Sequence, residues 1–82
     1  MNYTEKRRIE VKRILRRFIV RNLQRSKKPE VVNILTELVE KFAKETLYTQ
    51  DEEKKIQSLL LEVQYGETSI ENFNKALTEM EE

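Results

Sequence analysis

"TQDEEKKIQSLLLEVQYGETSIE", residues 49–71, decides the fold, because it spells two helix starts around one helix stop. Thr49 offers its hydroxyl oxygen to an early backbone N–H, and Glu52, three residues on, reaches back to the N–H of Thr49. This is a capping box, and Asp51 and Glu53 add negative charge where the helix dipole favours it. Ile56, Leu59, Leu60 and Val63 then recur at helical spacing. Gly66 takes the left-handed conformation that ends a helix, and Thr68 with Glu71 repeats the capping-box spacing to begin another.

The same grammar extends outward in both directions. Pro29, the only proline, suits the first position of a helix, where a missing N–H costs nothing, and Ser26-Lys27-Lys28 before it reads as a turn. Four helices follow, over about 4–25, 29–48, 50–65 and 69–81, with connections short enough that neighbours fold back antiparallel. The expected fold is a single all-α domain, a small antiparallel four-helix bundle over 1–82. Val31, Leu35, Leu38, Val39 and Phe42 form the apolar stripe of the second helix, and Ile70, Phe73, Leu77 and Met80 that of the fourth. Leu61 and Tyr65 fall on the back of the third.

Composition narrows the class of protein. In 82 residues only one small core is possible, and good helix packing or oligomerisation has to stabilise it, because there is no Cys for a disulfide or a thiolate metal site. The absence of Cys fits a reducing compartment, and no apolar run approaches a membrane span or a signal peptide, so a cytoplasmic location is expected. No cofactor and no metal is expected. Without His, and with a single Asp, general acid–base catalysis has little to work with, so a non-enzymatic protein is expected. Asp51, Glu52 and Glu53 are consecutive in a helix, diverge by 100° steps and cannot converge on one ion; capping explains them.

The net charge of +1 conceals a division. Residues 1–28 hold eleven Lys or Arg against two Glu, whereas residues 29–82 hold five against thirteen Asp or Glu. Relative to the stripes of their own helices, Glu37, Glu40, Glu62, Glu71, Glu79 and Glu82 point outward, so a positive surface on the first helix survives. Such an asymmetry marks an interaction surface rather than a fold.

That first helix reads as two-faced. Val11, Ile14, Leu15 and Phe18 occupy about 100° of arc and are expected to face the bundle. Ile9, Val20 and Leu23 lie nearly opposite, among Lys12, Arg13 and Arg16, with Arg8, Arg17 and Arg21 on the borders. Long Arg stems covering apolar atoms would account for part of this second face. The alternative is a contact surface made of Ile9, Lys12, Arg13, Arg16, Arg17, Val20, Arg21 and Leu23. The expected function is a protein–protein interaction module, a small adaptor, regulator or inhibitor, whose partner is a protein with an acidic surface or a second copy of the chain.

Nucleic acid ranks second as partner. Helix 1 cations would contact phosphates, but Tyr3 and Phe18 are the only aromatics in the basic segment, and the acidic last helix is a poor major-groove reader. A bacteriocin-immunity-like role is an analogy of architecture alone. A membrane-surface helix would need an apolar stripe already committed to the bundle.

Overall fold

The computed structural model describes residues 3–81, so Glu82, expected on the surface, lies outside the described residues. Four helices run in order, α1 (Glu5–Arg25), α2 (Pro29–Lys44), α3 (Gln50–Gln64) and α4 (Ile70–Glu79). Each packs beside its sequence neighbours and α4 closes against α1, which makes an up-and-down four-helix bundle of 35 × 21 × 20 Å. The tightest pairings are α2 with α3 and α1 with α4; the α1–α2 seam is the slightest.

The helix ends are capped largely as the sequence requires. Thr4 accepts from the N–H of Arg7, Pro29 starts α2, and Thr49 and Glu52 complete the reciprocal capping box of α3. Gly66 is left-handed, with φ 75°. Two expectations about helix ends need correction. The start of α4 is capped by Ser69, whose hydroxyl accepts from the N–H of Asn72 at 3.0 Å, rather than by Thr68. Thr68 is held in the preceding turn, where its N–H donates to the Glu62 carbonyl.

The second correction is that α2 stops at Lys44 rather than at 48. The N–H of Leu47 donates to Phe42 O and that of Thr46 to Ala43 O, the double bond pattern that Gly66 and Glu67 repeat at the end of α3. Thr46 occupies the left-handed position with φ 66°, which costs a β-branched residue about 1–2 kcal/mol. The early stop instead delivers Leu47 and Tyr48 into the core, and burying two large side chains contributes about 1.5–3 kcal/mol each. Burial wins over local preference.

The core fills the space between all four helices: Leu15, Ile19 and Leu23 of α1, Val32, Leu35 and Val39 of α2, Ile56, Leu60 and Val63 of α3, and Phe73 and Leu77 of α4. Val31, Leu38, Phe42, Leu59, Ile70 and Met80 pack against it half-buried. The stripe expected on α1 is corrected. Of Val11, Ile14, Leu15 and Phe18, only Leu15 is buried, while Ile14 is 65% and Phe18 49% exposed. The helix is turned by roughly 90° from the orientation its densest apolar cluster suggests, about the angle between consecutive residues.

Candidate interaction surface

The inward side of α1 is built on Leu15, Ile19 and Leu23, spaced four residues apart and therefore stacked along one face. Lys12 and Arg16 share that side. Lys12 is buried, and its ammonium donates to Glu52 Oε2 at 3.2 Å and to the Met80 carbonyl at 3.3 Å. It also lies 5.4 Å from the centre of the Tyr48 ring, within reach of a cation–π attraction. The Arg16 guanidinium pairs through Nε with Glu81 and donates from Nη1 to Asn74 Oδ1 at 2.6 Å. Glu52 is shared, because its Oε1 also accepts the Thr49 N–H at 2.9 Å. Burial, reinforced by the charges of Glu52 and Glu81, pushes the Tyr48 phenol up from its ordinary value.

A cavity of about 510 Å³ with a mixed polar and apolar lining opens beside this cluster at one end of the bundle, between the start of α1 and the α2–α3 turn. Arg8 and Lys12 line it with Glu5, Glu52 and Glu81, so its charges nearly balance. Among the described residues, the Arg8 Nε has no hydrogen-bond partner although that atom is buried.

The residues expected to meet a partner therefore divide. Lys12 and Leu23 are buried and Arg16 is engaged within the fold, so these three are corrected from contact surface to interior. Ile9 and Val20 are half-buried. Arg13, Arg17 and Arg21 are exposed and form no ion pair among the described residues.

The outward side of α1 holds what the sequence assigned to the core, with the exception of the buried Leu15. Val11, Ile14, Leu15 and Phe18 join Leu38 and Phe42 of α2 around an apolar groove of about 260 Å³ along the α1–α2 seam. Ile34, 63% exposed, extends it one turn beyond Leu38. Seven-residue spacing nearly repeats a direction on a helix, so Arg7 and Arg21 flank Ile14, and Arg25 follows Phe18. On the α2 rim stand Glu30, Glu37 and Lys41, all exposed.

One signal for this groove was present in the chain. "VKRIL" at 11–15 and "VVNIL" at 31–35 match at a spacing of 20, and the buried residues match with them: Leu15 with Leu35, Ile19 with Val39, and Lys12 with Val32. Ile14 and Ile34 are the exposed pair of the same alignment. Position 12 obscured it, because a lysine stands where α2 has a valine.

No protein-family model, no curated protein and no solved structure matches this chain. Among the described residues, no helix is long and apolar enough to cross a membrane.

Proposed function

We propose that the chain is a non-enzymatic protein–protein interaction module of the cytoplasm, a small adaptor, regulator or inhibitor, with the outer face of α1 as its contact element. The observation that supports this is the exposure of Ile14 and Phe18 in a row with Arg7, Arg17 and Arg21. A large aliphatic and an aromatic side chain ringed by arginines have the composition of an interface centre rather than of ordinary surface. Arg13, Arg17 and Arg21 supply charge and Ile14 and Phe18 the apolar anchors, while Ile9 and Val20, on the opposite flank of the helix, stay outside this surface. The interior cations Lys12 and Arg16 have found their anions within the bundle and serve the fold.

A second reading has its own support. Arg13, Arg17, Arg21 and Arg25 are exposed with no ion pair among the described residues, an arrangement suited to phosphate backbones. The apolar groove has no use in that reading, which is why it ranks second.

The test is capture from native lysate on immobilised protein, with and without nuclease, eluted by salt. Capture that resists nuclease and is lost in both Ile14→Ser/Phe18→Ser and Arg13→Ser/Arg17→Ser/Arg21→Ser supports the protein module. Nuclease-sensitive capture that depends on the arginines alone supports nucleic acid.

A further inference from the structure

We propose that the α1–α2 groove is filled by the same groove of a second copy of this chain, in a symmetric dimer whose two-fold axis runs parallel to the helices. The inference rests on reading the outer face of α1 as a contact surface and names its occupant.

Height along the bundle supplies the geometry. The short turn between Arg25 and Pro29 makes α1 and α2 antiparallel, so residues whose numbers add to about 54 stand at one level. Val11 with Phe42 and Leu15 with Leu38, all lining the one groove, obey that rule. A two-fold axis moves nothing along itself, so in a symmetric pair each residue of the second copy keeps its own height. With the axis parallel to the helices, α1 of one copy lies antiparallel on α2 of the other.

Shape and charge both fit this placement. Phe18 arrives at the level between Ile34 and Leu38 of the second copy, and Ile14 at the level between Leu38 and Phe42. Side chains four residues apart on α1 thus enter the gaps between side chains four apart on α2, as facing near-antiparallel helices of a bundle do. At the rims, Arg17 comes level with Glu37 of the second copy, Arg25 with Glu30, and Glu10 within about a turn of Lys41. Turning the axis across the helices would instead lay α1 on α1 and set arginine against arginine, so charge selects the parallel axis. A chain this small, without disulfide or Cys-held metal, gains stability from such burial.

Light scattering of the 82-residue chain from low to high micromolar concentration tests the proposal. The expected result is a mass that rises from one chain to two, with Ile14→Glu weakening association at least about tenfold while helical circular dichroism is retained. Arg17→Glu and Glu37→Arg each weaken the dimer about tenfold, and the double exchange restores it, because these positions meet only across the two-fold axis described. A monomer at every concentration, a dimer indifferent to Ile14→Glu, or single exchanges that are not rescued by the double overturns the inference. Capture of a different protein through Ile14 and Arg17 by a strictly monomeric chain would defeat the dimer and leave the interaction module standing. Loss of both would defeat the two together.

Discussion

The two sides of α1 are made of nearly the same residues and do opposite work. Leu15, Ile19 and Leu23 with Lys12 and Arg16 face inward; Val11, Ile14 and Phe18 with Arg17 and Arg21 face outward. Each side mixes apolar residues with cations, and the outward side carries Arg7 and Arg25 as well. What separates them is the reach of an anion: Glu52 and Glu81 stand beneath Lys12 and Arg16, and no acidic side chain pairs with Arg17 or Arg21 among the described residues. A cation on a helix face therefore says nothing about which way that face points until the rest of the chain is folded around it.

The largest expected effect tests the assignment of the two sides directly. Leu23→Ala is expected to cost about 2–5 kcal/mol in urea unfolding, because a fully buried side chain leaves a cavity between helices. Ile14→Ala, which removes an equally apolar but exposed group, is expected to stay within about 0.5 kcal/mol at concentrations where the chain is a monomer. A larger cost for Ile14→Ala than for Leu23→Ala would mean that α1 is turned as its densest apolar cluster suggests.

The ion pairs sharpen the contrast at smaller magnitude. Glu52→Gln is expected to cost about 1–3 kcal/mol, since it leaves the buried Lys12 ammonium without its counter-charge and weakens the α3 cap. Glu10→Gln breaks the exposed Arg7–Glu10 pair, whose atoms are 3.8 Å apart, and is expected to cost less than about 0.5 kcal/mol. The same chemical change on opposite sides separates a desolvated pair from a screened one.

The smallest expected effect is a pH dependence confined to the inward cluster. The Tyr48 phenol is held protonated in the fold by burial and by Glu52 and Glu81, whereas in the unfolded chain it ionises at the ordinary 10.0. Its contribution to stability is complete below pH 10 and declines as pH rises above it, because only the unfolded state releases the proton. Denaturation midpoints measured from pH 8 upward should fall less steeply in Tyr48→Phe than in the parent chain, once pH passes about 10. An unchanged slope would show that the phenol is not held away from water.

Much of the fold was legible residue by residue. Thr49 and Glu52 announced the start of α3, Gly66 its end, and Pro29 the start of α2, because a cap or a turn is satisfied by atoms within three or four positions. The end of α2 was not legible. Thr46 gives no left-handed signal of its own, and it adopts that conformation because Leu47 and Tyr48 gain more by entering the core than the turn loses in strain. Of the expected contact residues, Arg13, Arg17 and Arg21 were readable as exposed, while Lys12, Arg16 and Leu23 were read as outward for want of any local sign of their partners.

By itself, then, the sequence determined four helices, most of their caps, their antiparallel order and the concentration of positive charge on the first. Only the tertiary structure decided how α1 is rotated and so which of its two mixed faces meets solvent. Caps are short-range hydrogen bonds, settled within one helical turn. In the observed rotation Leu15, Ile19 and Leu23 enter the shared core, Lys12 meets Glu52 and the Met80 carbonyl, and Arg16 meets Asn74 and Glu81, partners 40 to 68 residues away in the chain. Helical spacing records that apolar arcs exist, and only contacts this distant in the chain distinguish the arc that turns inward.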